Sequence, residues 1–124
     1  MYVISESDAR TTTTPAAVVT GLAAPSQGSS ELSSWRVRMS AGAEGPMHAV
    51  DREQVWMPVR GSFAVTVDGE TATVGPGQAA VLPAGVLRQI RTTDEPVEAL
   101  VCMPVGGQAT VPGSADPHRL PWAE

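Results

Sequence analysis

Two short stretches carry most of the side chains with reactive chemistry. Residues 45–61 read GPMHAVDREQVWMPVRG and contain His48, Gln54 and Trp56. Residues 77–92 read GQAAVLPAGVLRQIRT and contain Arg88. An imidazole titrates near neutral pH and both takes and gives protons, so His48 is the strong general acid/base candidate. A guanidinium presents a planar fork of donors that suits carboxylate, enolate or phenolate oxygens. Gln54 supplies amide hydrogen bonds that orient a ligand. Trp56 shares a strand face with Gln54 and is either an apolar wall against a planar ligand or plain core packing. Plainer readings stand beside the others: His48 as a hydrogen-bonded wall residue, Arg88 as an exposed strand residue paired with an acidic neighbour.

The rest of the composition removes competing chemistries. Every basic side chain apart from the two histidines is arginine, so lysine Schiff-base catalysis and a lysine-anchored pyridoxal cofactor are excluded. No GxGxxG or GxxxxGK[ST] segment supplies a phosphate cradle. A formal charge of −5 argues against a nucleic-acid partner, which requires a basic face. The single cysteine, Cys102, cannot form an internal disulfide or a cysteine zinc cluster. No apolar run is long enough for a membrane helix, and the start MYVISESDAR lacks a basic segment followed by an apolar one. The expectation is a cytoplasmic protein.

The elements that must position these residues are strands. Leu32 to Met39 alternates Trp35, Val37 and Met39 against Arg36 and Arg38, the period of a half-buried strand with the apolar set inward. Met47 to Val59 reads as one or two strands. Ser62–Val67 and Glu70–Val74 flank Asp68-Gly69, which supplies the positive φ angles of a two-residue type I′ hairpin turn. Gly75-Pro76-Gly77 predicts a type II turn, Ala79–Leu82 a buried strand, Pro83-Ala84-Gly85 another turn. Val86–Arg91 and Val97–Met103 complete the set. Many short strands, glycine and proline turns and no helical period predict an all-β barrel or sandwich. At 124 residues the chain forms one domain. Residues 1–30 read as an arm with a first strand, packed on its own barrel or exchanged with a second subunit; 31–105 as the barrel; 106–124 as a strap anchored by Leu120 and Trp122.

The first stretch resembles the first motif of the cupin superfamily: glycine, His-x-His, three or four residues, Glu, six residues, glycine. The second resembles the second motif: glycine, five residues, Pro-x-Gly, two residues, His, three residues, Asn. The resemblance covers roughly Leu32 to Val105 and implies a double-stranded β-helix, a jelly-roll-type barrel with both motifs at one mouth. It also implies that the four slots where cupins hold a metal are filled here by His48, Val50, Gln54 and Arg88. Valine has no lone pair, a guanidinium repels a cation, and an amide oxygen is a weak donor. A metal would need Glu53 in place of Gln54 and His118 returning from the tail.

These residues predict a metal-independent enzyme without a cofactor that moves protons in an isomerisation, dehydration or cyclisation. The substrate is a small organic molecule, anionic or enolisable. In that scheme His48 shuttles the proton and Arg88 stabilises oxyanion charge, while Gln54, Trp56, Val50, Trp35 and Cys102 contact the ligand. Cys102 has the alternative of a structural thiol. The resemblance extends to small stand-alone cyclases and isomerases of bacterial specialised metabolism. It also implies a homodimer, since such N-terminal strands often pair with a second subunit. The alternatives are a noncatalytic sensor or carrier and a metal-dependent oxygenase.

Overall fold

The computed structural model describes residues Met1–Glu124 and contains twelve strands. They are β1 (Thr11–Thr13), β2 (Val18–Gly21), β3 (Leu32–Met39), β4 (Ala49–Val50), β5 (Gln54–Arg60) and β6 (Phe63–Val67). Then follow β7 (Glu70–Val74), β8 (Ala80–Leu82), β9 (Arg88–Thr92), β10 (Val97–Pro104), β11 (Gln108–Thr110) and β12 (His118–Arg119). All ladders are antiparallel, as in a barrel built from hairpins and longer crossovers. A six-stranded sheet runs β1-β2-β3-β10-β5-β8, and two three-stranded sheets run β7-β6-β9 and β12-β11-β4. The fold is the all-β barrel that the sequence predicts.

Side-chain alternation builds the core. Trp35, Val37 and Met39 of β3 face inward beside Val97, Ala99, Val101 and Met103 of β10, all buried. Phe63 and Val65 of β6 and Ile90 of β9 close the core from the smaller sheet. Turn chemistry fixes the register between these strands. Asp68 and Gly69 have φ of 49° and 79°, the left-handed pair a type I′ turn requires. Gly77 has φ of 86° and the Gln78 N–H bonds the Gly75 carbonyl at 3.0 Å, giving the type II turn. β8 departs from expectation: Leu82 is buried, but Val81 is 58% exposed because β8 is the edge of its sheet with one face open.

Both ends of the chain join the barrel wall. β1 and β2 form a hairpin, and β2 pairs with β3 of the same chain from Val18↔Arg38 to Gly21↔Trp35. The polar segment before it is therefore anchored as an edge strand, with the Thr11 and Thr20 hydroxyls 3.0 Å apart. At the other end β11 pairs with β4, and the turn Pro121–Ala123 seats on β2 and β3. The buried Ser33 hydroxyl donates to the Ala123 carbonyl at 2.6 Å and fixes this last turn in place.

What positions the site is the seam between the segment preceding β4 and strand β9. His48 and Arg88 exchange both backbone hydrogen bonds, at 3.0 and 2.9 Å, and Glu44 bridges Arg91 one step further along. Residues paired this way project their side chains to the same face. The parity of β9 sends Arg88, Ile90 and Thr92 inward, and His48 follows Arg88.

Candidate active site

Arg88 is 1% exposed. Its Nη2 donates to the Gln54 Oε1 at 2.6 Å, and its Nε and Nη2 lie 3.4 and 3.5 Å from the His48 Nε2. No carboxylate approaches it: the ion pairs of this protein use Arg36, Arg38, Arg52 and Arg119. Its Nη1 is buried without any partner. Burial without a counterion disfavours the charged form, and the guanidinium falls from its usual value to about 10. At neutral pH it remains a cation. Such a group is costly to bury and satisfied by an incoming anion.

His48 is held in one tautomer. Its Nδ1 lies 2.9 Å from the Pro46 carbonyl, which only accepts, so Nδ1 carries the proton and Nε2 presents a lone pair toward Arg88. Burial lowers the imidazole below its usual 6.5, against the Pro46 hydrogen bond, which raises it, and the Arg88 charge lowers it further. The ring is therefore neutral at physiological pH, the form of a general base.

Gln54 is buried at the start of β5 and joins the polar groups together. Its Oε1 also accepts from the Trp56 Nε1 at 3.0 Å, while its Nε2 faces the Met103 sulfur at 3.5 Å. Two donors on one oxygen fix the amide orientation. Trp56 in turn packs edge-on against Phe63, with centroids 5.8 Å apart.

These groups border a cavity of about 540 Å³. Trp35, Val50, Gln54, Trp56 and His48 line it, together with aliphatic side chains of β2, β3 and β9. Its exposed lining residues, Pro15, Glu44 and Pro46, mark an opening between the β1–β2 turn and the segment before β4. Arg88 does not line the cavity; its polar edge lies behind His48 and Gln54. Cys102 requires correction as a ligand contact. In β10 the inward positions are Val101 and Met103, and Cys102 shares the outward parity of Glu98 and Leu100. Lining residues the sequence did not place at the site are the β1–β2 turn, Ile90 and Ala109, along with Leu120 and Trp122, which it read as anchors of the strap. Ile90 shares the parity of Arg88 and was open to inference; the return of the chain ends to the cavity depends on long-range packing.

The donor set does not fit a metal ion. Val50 lacks a donor atom, and the lone pairs of His48 Nε2 and Gln54 Oε1 both face a fixed cation. No group of three or more His, Cys, Asp or Glu side chains assembles elsewhere. Glu53 is exposed, and His118 lies on exposed β12, paired to β11.

Solved structures share the fold. The polyketide cyclase RemF from Streptomyces resistomycificus aligns with a TM-score of 0.68 and 21% identity over 82% of this chain and 73% of its own. KdgF from Halomonas sp. gives 0.66 and 21% over 81% and 86%. A structure of DMSP lyases gives 0.70 and 20% over 77% of this chain, which spans about half the length of that relative. None of the curated proteins matches. The family model described as "Cupin domain" matches residues 35–103, from Trp35 on β3 to Met103 on β10 and across both stretches that build the site, and this chain belongs to the cupin family.

Proposed function

We propose that this barrel is a metal-independent enzyme that transfers protons within an anionic or enolisable substrate, producing an isomerisation, dehydration or cyclisation. The observation that carries this reading is the buried Arg88, without a carboxylate partner and with its donor edge against the unprotonated nitrogen of a neutral histidine. A substrate C–H or O–H that parts this long contact from the cavity side loses its proton to His48 Nε2. The oxygen that gains charge takes the Nε–H and Nη2–H of Arg88, which strengthens as charge develops. Returning the proton from His48 to another atom of the same substrate completes an isomerisation and restores the base. The similarity to a polyketide cyclase and to lyases supports the same class of chemistry, and a role in bacterial specialised metabolism agrees with it. The test is wash-in of solvent deuterium at the α-carbon of enolisable carbonyl compounds, followed by NMR. Catalysed exchange is expected; tight binding of the same compounds without exchange identifies a carrier or sensor instead.

The metal-free part of the proposal has its own test. Protein purified without chelator is expected to hold well under one equivalent of iron, zinc, manganese, nickel or copper by elemental analysis. Near-stoichiometric metal, lost together with activity on chelation, contradicts it.

We also propose a homodimer, in the cytoplasm. Val59 and Val81 are 48% and 58% exposed on the six-stranded sheet, and Met1, Tyr2 and Val3 are 75% exposed or more. Apolar surface of this kind on a sheet face and edge invites a second copy. Light scattering at micromolar concentration should give about twice 12.9 kDa, and a mass near 12.9 kDa is the contrary result. No helix is long and apolar enough to cross a membrane.

A further inference from the structure

We infer that the cavity takes a planar aromatic or polycyclic molecule that enters as a neutral phenol or enol and is held as its oxyanion between His48 and Arg88. This inference rests on the proposed roles of those two residues and narrows the ligand to one class.

Three observations point to it. The first is the contrast between the walls and the polar corner. Three indoles line the cavity: Trp56, and the pair Trp35 and Trp122 with centroids 6.5 Å apart at 57°. Most of the remaining surface is aliphatic, and Glu44 is the one carboxylate at its edge, accepting from the Gln89 amide at 3.3 Å. Rigid aromatic faces of this kind favour a flat apolar body, and about 540 Å³ accommodates several fused rings.

The second is the pairing of a neutral base with a cation, which suits a ligand that ionises where it binds. A carboxylate arrives charged and must shed its water to pass apolar walls, a costly step. A phenol or enol arrives uncharged and ionises only where its proton has an acceptor. His48 Nε2 is that acceptor: the O–H proton passes to Nε2, and the electron pair remains on oxygen. The imidazolium formed stays bonded through Nδ1–H to the Pro46 carbonyl.

The third is the looseness of the existing contact. Nε and Nη2 of Arg88 lie 3.4 and 3.5 Å from Nε2, near the outer limit of a hydrogen bond, whereas the Gln54 bond is 2.6 Å. An oxyanion arriving from the cavity displaces this contact, accepting from the fork on one side and from the newly protonated Nε2 on the other. There it balances one of two neighbouring cations. The titratable and charged groups around this point are Arg88, His48 and, at the rim, Glu44.

The experiment compares 2-naphthol, naphthalene and 2-naphthoate at neutral pH, by calorimetry and by the absorption band that distinguishes naphtholate from naphthol. Naphthol is expected to bind roughly 10–100-fold tighter than naphthalene, the worth of one charge-assisted hydrogen bond, and to show the naphtholate band. Arg88→Leu should abolish the band and that advantage while leaving naphthalene affinity unchanged. Gln54→Glu, which places a carboxylate against Nη2, should do the same by supplying Arg88 with an internal partner. Naphthol bound in its protonated form and no tighter than naphthalene overturns the inference, as does naphthoate binding tightest with no naphtholate band. Deuterium exchange is read separately: exchange without naphtholate formation sinks only the ligand class, and naphtholate formation without exchange sinks only the catalytic role.

Discussion

Arg88→Leu is expected to make the protein more stable and less functional at once. The wild-type cation is 1% exposed, lacks a carboxylate and leaves Nη1 unpartnered. Its fall to about 10 corresponds to a cost of about 3 kcal/mol borne by the folded state below pH 10. The unfolded chain binds this proton more tightly, so stability rises as pH passes above about 10 and that cost is relieved. Leucine removes the cost and fills much of the same volume. Gln54 Oε1 keeps its bond from Trp56, and His48, which lines the cavity, loses only a long contact of 3.4 Å. The melting temperature should therefore rise by several degrees, while transition-state stabilisation falls by about 2–4 kcal/mol. Scanning calorimetry together with exchange kinetics measures both. A destabilised variant would show that Arg88 is a structural residue, and unchanged kinetics that no oxyanion meets it.

His48→Gln should act differently. Glutamine keeps similar size and polarity but does not titrate, so kcat for proton transfer should drop roughly 10²-fold or more with little change in binding. The pH dependence follows from the direction of the shift. Because the folded imidazole titrates below 6.5, the base form persists into mildly acidic solution and wild-type activity should hold there, falling only when pH passes below the depressed value. The same shift means the unfolded chain binds the proton more tightly, so the stability present above 6.5 is lost as pH falls through the folded value. In His48→Gln that part of the acid loss should vanish. A variant with full turnover would leave Arg88 and confinement as the whole of catalysis.

The fold was legible because its determinants are local. Trp35, Val37 and Met39 announce one face of β3 by parity alone, and Asp68-Gly69 dictates its turn through backbone sterics. The outward placement of Cys102, read as a ligand contact, had a local signal that was passed over: it shares parity with Glu98, a charge that marks the outer face. The exposure of Val81 was not, since edge position depends on which strands pair across the whole sheet. At the site, motif spacing brings His48 and Arg88 opposite one another, and their bridge is a backbone fact. The tautomer of His48 depends on the Pro46 carbonyl, and the placement of Arg88 behind His48 and Gln54 depends on side-chain packing. Neither is encoded in spacing. Leu120 and Trp122 show the same limit: their apolar character predicts anchoring, and only the path of the chain shows that the anchor forms a wall of the cavity.

The central claim is that His48, neutral through its Nδ1–H tautomer, receives a proton from a ligand whose oxygen Arg88 then holds. Nitrogen-15 NMR of the imidazoles reads this directly, and with His118 on exposed β12 as the one other histidine the assignment is simple. At neutral pH the free protein should show His48 with Nδ1 protonated and Nε2 bare, and saturation with 2-naphthol should move Nε2 to its protonated position. A His48 Nε2 that stays bare while naphthol is fully bound, or an imidazole already doubly protonated in the free protein, contradicts the account.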